Sequence, residues 1–270
     1  MYTDSHCHLS FPELRARLPE LRQAMQAAQV TRALCINTTL EEFPEVHALA
    51  LEHDNFWATV GVHPDNEGIR EPSVEDLVQR AMLARVVAIG ETGLDYYQMD
   101  ERKGGRTIAD LDWQRERFRT HIRAARQVGL PMVIHTRQAA EDTLAILREE
   151  GEGKGGSVGG VFHCFTEDQA VADAVLELGY FISFSGILTF KTAHALREVA
   201  RRVPLERTLI ETDSPYLAPV PYRGKTNTPA YVACVAQQLA TIHQRPVEEI
   251  GRITSANFDR LFSKATKASP

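Results

Sequence analysis

The chain has 270 residues, 43% hydrophobic and 24% charged, close to a soluble globular average and long enough for one barrel domain or two small ones. Its net charge of −6 excludes a histone-like binder held to nucleic acid by charge alone, but not an enzyme acting on phosphates, since bound cations can supply local positive charge. No apolar run approaches the ~20 residues that span a bilayer, MYTDSHCHL lacks the basic and apolar regions of a secretory signal, and the four cysteines form no CxxC pair, so a cytoplasmic protein with reduced thiols and no membrane partner is expected.

Short β-rich runs then alternate with longer helical patterns. In chain order the expected strands end near YTDSHCH, RALCINT, FWATVGVH, VVAIGET, PMVIHT, GGVFHCF, GYFISFSG and TLIETD. Between them, residues 13–29 carry Leu14, Leu18, Leu21, Met25 and Ala28 at helical spacing, and 113–128 carry Trp113, Phe118, Ile122 and Ala125. Segments around 41–53, 73–84, 139–150, 167–178, 192–202 and 229–243 read similarly. Strand-then-helix alternation implies parallel strands joined by helical crossovers, and eight units predict an α/β fold. The expected architecture is a single-domain (β/α)8 TIM barrel over residues 1–265, with a short tail at 266–270. An open doubly wound sheet is the alternative, and no GxGxxG turn supports it. Three loops stand out: 98–112, polar and charged, read as a mobile flap; 151–160, glycine-rich, read as a flexible connector; and 215–228, with three prolines and two basic residues, after the eighth strand.

The chemistry lies at the strand ends. His6 and His8 are two apart in a strand, so both face one way and Cys7 the other. Alone, that pair reads more readily as two hydrogen-bonded histidines than as ligands. Repetition changes the reading. Glu91 ends the fourth run, His135 the fifth, His163 the sixth and Asp213 the eighth. Packing does not explain apolar strands that end repeatedly in metal donors, and in a barrel these ends converge on one mouth. Four histidines and two carboxylates exceed the needs of one tetrahedral ion and suit two ions about 3.5–4 Å apart under a bridging carboxylate.

The ordered motifs DSHCHL, GVHP, GETGLDYY, HTR, HCF, ETDSPYLAP, RGKTN and SANFDRLF cover nearly the whole chain. On them the sequence resembles the TatD family of metal-dependent DNases, within the wider amidohydrolase-like barrels, and SFSGILTF with ETDSPYLAPVPYRGK resembles its YcfH-like branch. The resemblance implies one metal held by His6, His8, Glu91 and Asp213, a second held by Glu91, His135 and His163, and action on single-stranded DNA from an end. Two features depart from the family pattern. Arg137 is followed by Gln138 where the family often has an acid, and the 98–112 segment is longer than usual.

Other residues carry two readings each. His63 ends the third run. It is either a strand-end histidine satisfied by backbone or, as favoured here, a catalytic and substrate-binding group beside the leaving oxygen and outside the ligand set. Asp4 and Glu211 each precede a ligand by two residues and are expected one layer deeper, orienting ligands or pairing in the core. Arg137, Arg223 and Lys225 follow strand ends, where phosphate binding competes with solvated surface charge. Tyr96 and Tyr97 either stack a base or pack under a loop. His47, His53, His121, His194 and His243 fall in helical segments and read as surface or partly buried histidines.

The leading expectation is phosphodiester hydrolysis by a water activated between two divalent cations, drawn from Zn²⁺, Mg²⁺, Mn²⁺ or Ni²⁺, with Glu91, Asp213 and His63 in catalytic roles. The substrate would be DNA, with no obligate protein partner. A hydrolase of small esters, amides or aminoacyl-tRNA esters is the alternative. A barrel that keeps metals only for structure is a third, disfavoured because structural sites are usually closed and mononuclear.

Overall fold

The β-rich runs pair side by side in chain order. The computed structural model describes residues 1–100 and 104–266. Its strands are β1 Tyr2–Cys7, β2 Val30–Cys35, β3 Phe56–Val60, β4 Val86–Asp95, β5 Met132–Arg137, β6 Gly160–Phe162, β7 Phe181–Phe184 and β8 Thr208–Ile210, in one sheet of order β1 to β8. Every ladder between neighbours is parallel. A bridge between Cys7 and Ser214 brings the first strand to the eighth and nearly closes the barrel. The helices are α1 Pro12–Arg15, α2 Leu18–Ala27, α3 Phe43–Glu52, α4 Val74–Ala81, α5 Asp112–Val128, α6 Ala140–Glu149, α7 Gln169–Glu177, α8 His194–Arg202, α9 Val232–His243 and α10 Val247–Leu261. At least one helix follows each strand, as parallel strands require of their crossovers. The expected (β/α)8 barrel is the observed fold.

Alternation along the strands sorts the core. Ala33, Cys35, Ala58, Ile134 and Ile182 face outward into the helix layer, which contributes Leu21, Leu49, Phe118 and Val235. Leu34, Val87, Val133, Val161 and Leu209 face inward. Phe258 and Phe262 of α10 pack with Trp57 and this inner layer, closing the end of the barrel where the strands begin. Local signals set the helix limits: a capping box between Ser73 and Asp76 starts α4, Asp168 caps α7 through the Val171 amide, and Gly129, at φ 68°, ends α5.

One loop departs from its sequence reading. Residues 151–160, expected as a flexible connector, wrap around the buried carboxylate of Glu152. It accepts from Ser157 Oγ at 2.6 Å, Tyr180 Oη at 2.8 Å and the Gly159 amide at 3.1 Å, and pairs with Arg126 at 3.1 Å. A buried carboxylate left without such partners is costly, so the loop is pinned. In the expected flap, residues 101–103 lie outside the described part. Around them, Arg106 pairs with Glu67 at 2.8 Å and its amide bonds the Gln98 carbonyl at 3.0 Å. The tail beyond residue 266 also lies outside the described residues. Among the described residues no helix is long and apolar enough to cross a membrane.

Candidate metal centre

The inward parity that carries Val133, Val161 and Leu209 continues, two residues later, to His135, His163 and Glu211, and then to Asp213. On β1 it carries Asp4, His6 and His8. β5, β6 and β8 are thus apolar inside at their start and rich in donor atoms at their end. Glu91 arrives on β4 between two glycines that let the neighbouring backbone come close. A Cβ on Gly90 would sit 2.7 Å from the Val133 carbonyl, and one on Gly93 only 2.0 Å from that of His135.

Glu91 is the centre of the cluster, and its two oxygens face different sets of histidines. Oε2 lies 3.3 Å from His6 Nε2 and 3.9 Å from His8 Nε2. Oε1 lies 2.8 Å from His163 Nε2 and 3.2 Å from both His135 Nδ1 and His63 Nε2. Asp213 Oδ1 completes the first set, 3.4 Å from His8 Nε2 and 3.6 Å from His6 Nε2. Three overlapping groups have donor atoms within 4.8 Å of one another: His6, Glu91 and His163; His6, His8 and Asp213; and His63, Glu91 and His135. In the last group His63 also brings a donor atom close to Glu91 and His135, so its ring is a candidate ligand as well as a group facing substrate. The ring reaches Glu91 from the loop after β3, a strand that ends beside Ile89 of neighbouring β4.

Behind three of the imidazoles stands a carboxylate. Asp95 accepts from His135 Nε2 at 3.1 Å, Glu211 accepts from His163 Nδ1 at 3.2 Å, and Asp65 accepts from His63 Nδ1. A carboxylate only accepts, so each bond turns the opposite nitrogen toward Glu91 and fixes the ring. Glu211 also accepts the Cys164 amide at 2.7 Å. Asp4 follows the second of its two readings, a carboxylate paired in the core: it accepts from the His6 and Thr212 amides at 3.2 and 2.9 Å, tying β1 to β8. Asp65 and Asp95 were not singled out from the sequence. Asp95 carries a legible signal, because Glu91, Gly93 and Asp95 share one face of β4.

Two residues of α5 fix the backbone beside His63. Arg117, buried over Trp113, donates to the His63 carbonyl at 2.8 Å and pairs with Glu71. His121 donates from Nδ1 to the Arg117 carbonyl at 2.8 Å, and its Nε2 accepts the Val62 amide at 2.9 Å. The sequence reading of His121 as a surface or partly buried histidine is therefore corrected. It is fully buried, and burial lowers it to about 4 despite the hydrogen bond to the Arg117 carbonyl.

The electrostatics follow from crowding. Burial alone would raise Glu91, but His163, His63 and His6 hold it well below the usual carboxylate range. Burial opposes charge on His63 as well, yet Glu91 and Asp65 raise it to about 10. His163 is raised well above an ordinary histidine because Glu91 and Glu211 outweigh its burial. His6 moves down, through burial and the neighbouring His163. Asp213, despite burial, is lowered by His8, His6 and His163. It also holds φ at 56°, a left-handed backbone that a side chain rarely adopts.

The cluster floors a cavity of about 590 Å³ lined by His8, His63, Glu91, His135, His163 and Asp213 together with Arg137. Arg137, stacked 3.6 Å over Tyr97, is the one Lys or Arg among the described lining residues. Tyr96, Arg223 and Lys225, expected as substrate contacts, are not among the described residues that line this cavity. Tyr96 is buried, and its hydroxyl donates to Asp142 at 2.6 Å. Arg223 folds over Phe190 at 3.8 Å and donates to the Ala218 carbonyl. Lys225 lies 5.7 Å from the Tyr222 ring. Following a strand end places a residue near the mouth, but the loop's own packing decides where its side chain goes.

The donors fit divalent cations. His6 is fully buried, and among the described residues neither of its ring nitrogens has a hydrogen-bond partner, though Nε2 lies 3.3 Å from Glu91. An imidazole without partners in a crowd of carboxylates has the chemistry of a ligand.

Comparison with known proteins agrees. The family described as TatD related DNase matches residues 3–263. The chain is 47% identical to the uncharacterized metal-dependent hydrolase YcfH of Escherichia coli K12, covering 96% of this chain and 94% of that one. It is 32% identical to the 3'-5' ssDNA/RNA exonuclease TatD of Citrobacter rodentium, over 90% of each. The crystal structure of YJJV, a TatD homolog from Escherichia coli K12, superposes with a TM-score of 0.86 at 28% identity, covering 97% of this chain and 98% of that one. Barrel, donor cluster and relatives together establish that this chain belongs to the TatD family of metal-dependent hydrolases acting on ester bonds.

Proposed function

We propose that the protein is a deoxyribonuclease that hydrolyses phosphodiester bonds of single-stranded DNA from an end. Two divalent cations would be held, one by His6, His8, Asp213 and Glu91 Oε2, the other by His63, His135, His163 and Glu91 Oε1. The observation that carries this reading is the division of Glu91, one oxygen toward each histidine set. Such cations supply Lewis-acid polarisation of a phosphoryl oxygen and an activated water near neutral pH. The protein's own groups do the rest. Asp95, Glu211 and Asp65 hold the rings in one tautomer. Asp213 stands at the cavity edge as an acceptor for a proton leaving the attacking water. Arg137 faces the same cavity and offers a forked contact to a phosphate. The printed activity of the Citrobacter relative supports a nucleic-acid strand as substrate.

The second reading, a hydrolase of small neutral esters, draws on a specific observation: Arg137 is the lone Lys or Arg among the described residues lining the cavity, and apolar side chains share it. Both are tested by one screen. Single-stranded DNA and RNA labelled at either end, and a panel of small esters, are incubated with the protein and Mg²⁺, Mn²⁺, Zn²⁺ or Ni²⁺, with chelator controls. Stepwise shortening of DNA that stops on chelation is expected. Rapid ester cleavage with intact oligonucleotides would overturn the nuclease reading.

A further inference from the structure

The cavity walls are unlike. Thr38 after β2, His63 and Asn66 after β3, and Thr136 and Arg137 at the end of β5 make one side polar. Phe11 follows β1, Ile187 follows β7, and Tyr216 and Leu217 follow β8, so the adjacent loops of β7, β8 and β1 make the other side apolar. This apolar wall begins at the metal centre itself, because the Phe11 ring stacks on His8 with centroids 4.7 Å apart and planes 23° apart. Tyr216 meets both rings edge-on, 6.4 Å from His8 and 6.3 Å from Phe11.

The wall is built and held. Gly186 presses against the β8 loop so closely that a Cβ there would lie 2.1 Å from the Leu217 carbonyl. Buried Asn227 donates to the carbonyls of Tyr216 and Thr212, at 2.6 and 2.9 Å, and the Tyr216 amide donates to the Asp213 carbonyl at 2.9 Å. The Tyr216 backbone is thus tied to a donor residue, while its side chain remains 54% exposed at the mouth. An exposed ring on a fixed backbone loses little freedom when something flat packs against it.

From this geometry we infer that Phe11, Ile187, Tyr216 and Leu217 form a subsite for an unpaired nucleobase, that of the terminal nucleotide whose phosphate meets the metal centre. The inference rests on the phosphodiesterase reading and extends it. The occupant must present one anionic group to the metal-loaded centre and Arg137 and, within the same cavity, one flat apolar group to the aromatic wall. A terminal nucleotide has both. A base inside a duplex is already stacked and paired, so an end that is not paired is preferred. Stacking tolerates every base, so little sequence preference follows.

The test compares wild type, Tyr216→Ala and Tyr216→Phe, each loaded with Mn²⁺. Calorimetric titration measures affinity for dAMP and for 2-deoxyribose 5-phosphate, which lacks the base. The wild type should bind dAMP about tenfold more tightly than the sugar phosphate, within the range expected for one stacked base. Tyr216→Ala should lose about that tenfold for dAMP with the sugar phosphate unchanged, and Tyr216→Phe should keep it. Equal losses on both ligands, no wild-type preference for dAMP, or a Phe variant as weak as Ala would each overturn the subsite. Oligonucleotide hydrolysis is followed in parallel. A Tyr216-dependent preference for dAMP without any phosphodiester cleavage would keep the subsite and sink the nuclease reading; cleavage without that preference would do the reverse.

Discussion

The two ends of the barrel interior come from the same strands and the same alternation, yet they differ in kind. Where the strands begin, Val87, Val133, Val161 and Leu209 pack against Trp57, Phe258 and Phe262. One inward position further along, the side chains are His135, His163 and Glu211, and further still Asp213. The first end gains stability by burying apolar surface. The second buries imidazoles and carboxylates that cost stability unless they pair or bind a cation. A residue at one end should therefore affect folding, and a residue at the other metal content and turnover.

The sharpest break is Glu91→Gln. Glutamine keeps the shape and removes the charge that faces both histidine sets. Turnover should fall by about a thousandfold or more, a loss typical of removing a centre of charge stabilisation, and both ions should be depleted. Circular dichroism should be unchanged because the apolar end is untouched. Elemental analysis that still finds two tightly held ions, with most of the activity, would refute the bridging assignment.

Phe258→Ala is the reciprocal change. Phe258 is fully buried against Trp57 and Phe262, and truncation should cost about 3–5 kcal/mol of stability. Thermal unfolding measures this loss, and turnover per folded molecule should hold. If metal affinity drops as far as stability, the two ends are coupled and the contrast fails.

His121 tests a buried imidazole outside the cluster, one already satisfied by two backbone bonds. Its pKa is lowered to about 4 in the fold, from an ordinary 6.5. Between those values the unfolded chain takes up a proton and the folded one does not. Stability is therefore fully present above pH 6.5 and is lost as pH falls toward about 4, by about 3 kcal/mol in total. Denaturant titrations across that window should show the slope in wild type and lose it in His121→Gln. An unchanged slope in the variant would assign the acid sensitivity elsewhere.

The smallest expected effect is Glu211→Gln. This removes the charge behind His163 while keeping an acceptor for the Cys164 amide. Metal affinity should weaken by about 10–100-fold with little change in folding. Competition with a chromogenic chelator reads it out. A stability loss without any change in affinity would make Glu211 a core residue, like Asp4.

Alternation along a strand is a local property, so the sequence by itself determined much. Apolar runs marked eight strands, six of them ending in histidine or acid, and spacing of two put His6 with His8 on one side. The same spacing aligned His135, His163 and Asp213 with apolar interior positions. What alternation does not carry is the distance between strand ends. Only closure of the barrel brought His63 within 3.2 Å of Glu91 and His135, and set Asp95 and Glu211 behind their histidines. Loops have no period at all. Tyr96 and Tyr216 both follow strands, yet the first turns inward to Asp142 while the second stands exposed in the cavity. His121 sits on a helix like other histidines, and its burial became visible only once α5 lay against the loop after β3. Strand faces follow from the pleat of the extended backbone, residue by residue; loop directions depend on what packs beside them, and that partner is chosen only when the fold closes.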